Sequence, residues 1–248
     1  MVLVDGSYDD AFDLTVQASH KFGWYCRNTG YNPFTAEGKK TAAFEIWDWA
    51  GRVNEYQIKS SPESGESLFS RLSIFVSVGD GNIISGIHKG FKDLFKLGWI
   101  EKIPRMFGIQ AEGSAAIANA FNAGSEQIVP VSANTLADSI SVDLPRDGVR
   151  ATRAPAQTGG AYIVVSDDEI LSAIASLGKA GIFAEPAGAT SFAGVVKALG
   201  QGLIRRDDPV VAINTGSGLK DVKAAMQSVT PAPIIEPTLS ALQKLTLF

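Results

Sequence analysis

The stretch Ile74-Phe75-Val76-Ser77-Val78-Gly79-Asp80-Gly81-Asn82-Ile83-Ile84 passes from an apolar run, through a double-glycine turn, into a second apolar pattern. Beyond the turn, Ile83, Ile84, Ile87, Phe91, Leu94 and Phe95 recur at helical spacing, while His88, Lys89, Lys92 and Lys96 take the other side. The reading is strand, turn, helix, with His88 on the solvated face. A glycine turn at a helix start offers backbone N–H groups and the positive helix end to an anion, and a phosphate ester with nearly two negative charges suits it. Gly79 and Gly81 allow close approach, and Asn82 either adds an amide to the anion or ties the turn down. The turn lacks the Gly-Lys-Ser/Thr ending of a nucleotide P-loop, which disfavours a nucleoside triphosphatase.

A second apolar run, Val210 to Ile213, ends in Asn214-Thr215-Gly216-Ser217-Gly218-Leu219-Lys220-Asp221. Thr215 at a strand end either satisfies turn backbone or presents its hydroxyl to a ring nitrogen. A hydroxyl, unlike a carboxylate, does not hold such a nitrogen protonated, and this favours elimination and replacement chemistry.

Strand and helix signals alternate along the rest of the chain, as expected when helices cover both faces of a mainly parallel, twisted sheet: an α/β, three-layer fold. Expected strands are Val2–Val4, Arg105–Gln110 and Tyr162–Val165. Expected helices run from about Asp9 through Phe22, over Lys40–Ala50 and Ser114–Asn122, from the Ser166/Glu169 capping-box pair to Leu177, from Pro186 to Leu199, and over Leu239–Leu245. Arg52–Arg71, with its polar run Ser60–Ser67, reads as an exposed excursion, and Ser132–Gln157 as a long surface connection.

The 248 residues are 45% hydrophobic and 19% charged, with a net charge of -4 and no basic cluster, so nucleic acid and membrane surfaces are not expected partners. There is no apolar stretch of about 20 residues and the amino terminus is unlike a signal peptide, so the expected location is cytoplasmic. A single cysteine, Cys26, excludes an internal disulfide and a cysteine-rich zinc site.

Several segments, in order, resemble the threonine synthase family of pyridoxal-phosphate enzymes, in the tryptophan-synthase-β-like superfamily. Asn32-Pro33-Phe34-Thr35-Ala36-Glu37-Gly38-Lys39-Lys40-Thr41 is similar to the family's Asn-Pro-x-x-x-Glu-Gly-Gln-Lys-Thr. Ser77–Asn82 resembles its phosphate loop, Glu185-Pro186-Ala187 its cofactor-flanking turn, and Thr215–Asp221 its Thr-Gly-His-Gly-Leu-Lys-Asp. Pro104-Arg105-Met106 and Gln110-Ala111 fall in register between them. The resemblance implies pyridoxal 5'-phosphate as cofactor, its phosphate held by Gly79, Asp80, Gly81 and Asn82, Thr215 facing the pyridine nitrogen and Glu185 beside the ring. It places Asn28, Thr29 and Thr35 at the substrate phosphate. It also implies a remnant of the small domain in residues 1–35 and a large cofactor-binding domain, incomplete at the amino terminus, in residues 36–248.

The sequence departs from the family at three points. Thr35 stands where many threonine synthases have an arginine that grips the phosphate of O-phosphohomoserine. The 52–71 segment is longer, and the phosphate loop one residue shorter, than the common form. Most important, the Schiff-base lysine lies in a Lys-Asp-Arg sequence well before the phosphate loop, and no such sequence occurs here. Phe91-Lys92-Asp93 imitates it, but Lys92 sits ten residues beyond Asn82 on one helix, roughly 15 Å away. Lys39 and Lys40 are expected at the surface.

The expectation is therefore a threonine-synthase-like lyase converting O-phosphohomoserine and water to threonine and phosphate, without a catalytic lysine of its own. It would be a fragment, one part of a split enzyme, or a pseudoenzyme, self-associating or pairing with a missing amino-terminal segment. The alternatives are a threonine or diaminopropionate lyase, a cysteate synthase, or a non-catalytic module binding a phosphorylated metabolite.

Overall fold

Among the described residues, four parallel strands form a sheet, in the order β3-β2-β1-β4. The computed structural model describes residues 2–60 and 68–245. The strands are β1 (Ser73–Ser77), β2 (Arg105–Ala111), β3 (Ala161–Val165) and β4 (Val210–Ile213). The chain leaves β1 for β2 and β3 on one side and returns to β4 on the other, opening a switch point at the carboxyl ends of β1 and β4.

Strand alternation divides the apolar residues between two cores. Ile74 and Val76 join Ile84, Ile87, Phe91 and Leu94 of α5 (Asn82–Lys96), with Ala43 and Ile46 of α3 (Thr41–Ser60) and Ala151 and Ala154 of α7 (Gly148–Thr158). Phe75, stacked on Phe107 at 4.5 Å and 7°, faces the opposite layer, built from α8 (Asp167–Lys179) and α9 (Pro186–Gly200). The expected three-layer architecture is thus present, with Ile170, Ala189 and Ala193 filling the second core.

Cap chemistry fixes several element starts. The capping box of Ser166 and Glu169 forms as the sequence predicts, and Ser7 with Asp10 forms another at the start of α1 (Tyr8–Phe22). Asn32 caps α2 (Pro33–Lys39): its Oδ1 accepts from Phe34 N at 2.9 Å and its amide donates to Cys26 O at 2.9 Å. Pro33 takes the first helical position.

Several expectations need correction. Val2–Val4 is not a strand; these residues are exposed and pair with no strand among the described residues. The helix expected over Lys40–Ala50 forms as α3, with the separate α2 before it, but α3 runs on to Ser60, into the stretch expected to be an exposed excursion. The expected surface connection over Ser132–Gln157 contains α7, whose buried side is made of Ala151, Thr152, Ala154, Pro155 and Thr158. Those small and polar residues carry no conspicuous apolar period, so a packed helix reads as a loop. Phe95, expected on the apolar side of α5, is 49% exposed, whereas His88, expected in solvent, is 5% exposed. The polar run after Ser60 lies outside the described residues up to position 67. A short α4 (Leu68–Arg71) leads into β1, and α6 (Ala116–Asn122), α10 (Val222–Gln227) and α11 (Leu239–Gln243) complete the helices described. Among the described residues, no helix is long and apolar enough to cross a membrane.

Candidate cofactor site

A cavity of about 620 Å³ opens at the switch point, lined by the β1 turn, by Glu185 and Ala187 at the head of α9, and by Thr215 after β4. The two later turns are stitched together: Glu185 N donates to Gly216 O at 3.0 Å and Gly218 N to Phe183 O at 2.9 Å, with Ala184 bridging Ser217. Gly216 and Gly218 leave room for this packing: a Cβ would lie 2.2 Å from Glu185 Oε1 in one case and 2.3 Å from the Phe183 ring in the other, so that side chain would have to shift.

The glycine turn presents unused donors. Among the described residues, no acceptor meets the backbone amides of Gly79 through Ile84; the first amide to close is that of Ser85, onto Gly81 O at 3.1 Å. Gly81 has φ +91°, and a Cβ on it would lie 2.6 Å from Ala151 Cβ. The left-handed turn and the close seat of α7 therefore both require glycine. Ser77 Oγ, on a residue 3% exposed that lines the cavity, also lacks a partner. Thr215 lines the same cavity, and its hydroxyl meets no partner among the described residues.

The side chains of the turn face its scaffold. Asn82 donates Nδ2–H to Asp147 Oδ2 at 2.9 Å and accepts Lys39 Nζ on Oδ1 at 2.7 Å. Asp147 is held in turn by Arg150, at 2.6 and 2.9 Å. The Asp80 carboxylate accepts from Tyr8 Oη at 2.9 Å and from Arg146 N at 3.1 Å. Burial pushes this carboxyl above the usual carboxylate range, against the pull of those two donors. The Tyr8 phenol is pushed up as well, by burial first and then by Asp80. Asn82 thus follows the second of its two expected roles, tying the turn down.

The remaining expected residues divide. Glu185 lines the cavity at 4% exposure, paired with Lys220 Nζ at 2.6 Å. Thr29 lines the cavity, while Asn28 donates to Phe12 O at 3.3 Å, and Thr35 donates to Asn32 O at 2.7 Å within its own helix cap. Asn28 and Thr35 are not among the lining residues. Lys39, expected at the surface, is a lining residue. Sequence reasoning also missed Tyr8, Ser77 and the 138–143 segment, all of which line the cavity. Ser77 was within the quoted motif, and its place at the end of an all-buried strand was the signal available.

Amides without acceptors at a left-handed glycine turn, a free hydroxyl and a buried carboxylate lining one cavity suit a phosphorylated heterocycle. Residues 1–216 match the family described as pyridoxal-phosphate dependent enzyme. The chain belongs to that family. Within it, the chain is 37% identical over 247 residues to threonine synthase of Methanocaldococcus jannaschii, covering 99% of this chain and 57% of that protein. It is 34% identical over 239 residues to threonine synthase of Mycobacterium bovis, covering 94% and 59%. The chain thus spans just under three fifths of the length of these relatives. In fold it resembles processed threonine deaminase isoform 2 of Solanum lycopersicum, with TM-score 0.65 and 20% identity over 92% of this chain and 59% of that one. It also resembles diaminopropionate ammonia lyase of Escherichia coli, with TM-score 0.64 and 17% identity over 92% and 57%. The tryptophan-synthase-β-like fold and the dependence of the family on pyridoxal phosphate accord with the sequence reading.

Proposed function

We propose that the cavity holds pyridoxal 5'-phosphate and that the chain is the cofactor-binding part of a threonine-synthase-like lyase acting on O-phosphohomoserine and water. The observation that carries this reading is the row of acceptor-free amides from Gly79 to Ile84, facing the same cavity as the free Thr215 hydroxyl. When bound, the cofactor supplies an electron sink for bond breaking next to an amino-acid Cα.

The amides receive the phosphate, and the α5 amino terminus adds its dipole at no cost in side-chain ordering. The Thr215 hydroxyl would serve the ring nitrogen as a neutral partner that does not hold it protonated, which would restrain the sink and favour elimination and water addition. Glu185, buried and paired with the exposed Lys220, would lie beside the ring, and Gly216 leaves room for that carboxylate. The reacting amine of the family belongs to the Lys-Asp-Arg sequence that these 248 residues lack. Lys92 does not line the cavity, and Lys220 is committed to Glu185. We assign the amine to a polypeptide segment other than this one, and the O-phosphohomoserine phosphate to the Thr29 side of the cavity.

The test is phosphate release from O-phosphohomoserine, measured on the chain with pyridoxal 5'-phosphate, with and without a lysine-bearing segment supplied from a threonine synthase. Phosphate release only in the complemented mixture is the expected result. Ammonia release from threonine or 2,3-diaminopropionate in its place would transfer the assignment to an ammonia lyase. No product from any of these substrates in the complemented mixture would leave a binding module.

A further inference from the structure

Two adjacent lysines at the end of α2 are sent to opposite environments. Lys40 pairs with Glu37 at 2.8 Å and Asp93 at 3.2 Å on the outer surface of α5. Lys39 runs along α5 toward the glycine turn, over Gly86, where a Cβ would lie 2.7 Å from its own Cβ. It ends on Asn82 Oδ1 at 2.7 Å, at the rim of the acceptor-free amides.

The charge of Lys39 is left uncommitted. Lys220, the other lysine lining the cavity, is neutralised by Glu185 at 2.6 Å. Lys39 has no ion pair among the described residues, and its partner Asn82 is neutral. The neighbouring carboxylates are already engaged: Asp80 by Tyr8 and Arg146 N, Asp147 by Arg150 and Asn82. Burial lowers the Lys39 pKa, as expected of an ammonium lacking a close counter-charge, and Asp80 and Asp147 offset this only in part. The buried Ser77 hydroxyl on the same wall independently lacks a partner.

We propose that Lys39 is a cationic ligand of the cofactor phosphate, bridging Asn82 and the dianion and completing the cup formed by the amides of Gly79 to Ile84. The proposal rests on the pyridoxal-phosphate reading above. It gives the pocket a charge-based preference for the phosphorylated cofactor over the unphosphorylated aldehyde.

Binding of pyridoxal 5'-phosphate and of pyridoxal, followed by equilibrium dialysis on the full chain, tests the proposal in wild type, Lys39→Gln and Lys39→Arg. Circular dichroism and the thermal midpoint establish that each variant is folded. Lys39→Gln should weaken pyridoxal 5'-phosphate binding by about 10- to 100-fold, the span of one charge-assisted hydrogen bond. Pyridoxal binding should stay within about twofold, and Lys39→Arg should retain most of the affinity because it keeps the cation. An unchanged affinity in Lys39→Gln, or an equal loss for both ligands, would overturn the proposal and leave the cofactor reading standing. A wild-type chain that binds neither compound would overturn both. A stoichiometric pyridoxyl label on Lys39 after borohydride reduction would also overturn it, by making Lys39 the amine that reacts with the cofactor carbonyl.

Discussion

Glu185 and Lys220 share an ion pair but not an environment: the carboxylate side chain is 5% exposed and the lysine side chain 59%. Removing each partner therefore exposes a different cost. Lys220→Met strands a buried carboxylate and should destabilise the chain by about 2–4 kcal/mol, whereas Glu185→Gln leaves a solvated ammonium and should cost about 1 kcal/mol or less. Urea unfolding of the two variants checks the asymmetry, and equal losses would count against a buried Glu185. The residues legible in the sequence were those whose chemistry is local, such as the glycines of the two turns and Thr215 at its strand end. Lys39 and His88 were misread because their burial comes from α2 and α3 packing on α5, a long-range fact that a run of alternating lysines does not carry.

At the scale of elements, α7 is seated against the glycine turn. Asp147 N donates to Asp80 O at 2.9 Å, and the Asp147 carboxylate holds Asn82 at 2.9 Å. Gly81→Ala would force a left-handed alanine onto Ala151 and should destabilise the chain by roughly 2–3 kcal/mol, with a lower affinity for pyridoxal 5'-phosphate. A variant with wild-type stability and affinity would mean that the turn does not require glycine. On α5, His88 carries an unpartnered Nε2, and burial, assisted by Lys92, depresses its pKa from 6.5 to about 4. The unfolded chain therefore takes up this proton more readily than the folded one, so stability from His88 is complete above pH 6.5 and is lost as pH falls toward 4. The loss should be on the order of 2 kcal/mol after allowance for residual solvent, and a His88→Gln variant that still folds should show a flatter stability profile over that interval. Elements with apolar periodicity or caps, α5 and α8 above all, were legible from sequence. The small-residue helix α7 was not, because its buried face is defined by what it packs against.

The whole molecule brings the mouth of the cavity under α1. Tyr8 holds Asp80 at 2.9 Å, and Arg146 holds Asp9 at 2.8 Å and Asp13 at 3.1 Å while lying 4.5 Å over the Phe12 ring. Arg146→Ala should free this helix while leaving the sheet intact, seen as faster hydrogen exchange in Tyr8–Phe22 and unchanged protection in β1 and β2; uniform loss of protection would instead make Arg146 a global stability residue. The alternation of strands and helices made the layers legible, but the order β3-β2-β1-β4, and hence the meeting of Ser77, Glu185 and Thr215 at one cavity, depends on pairings far apart in sequence. The central claim is that this meeting point seats a phosphorylated pyridine with its phosphate on backbone amides. The direct measurement is the backbone amide spectrum of ¹⁵N-labelled protein titrated with pyridoxal 5'-phosphate: the largest saturable shifts should fall on Gly79 through Ile84, with smaller ones at Thr215 and Gly216. Saturable shifts that leave Gly79–Ile84 unmoved, or no shifts at any residue, would contradict it.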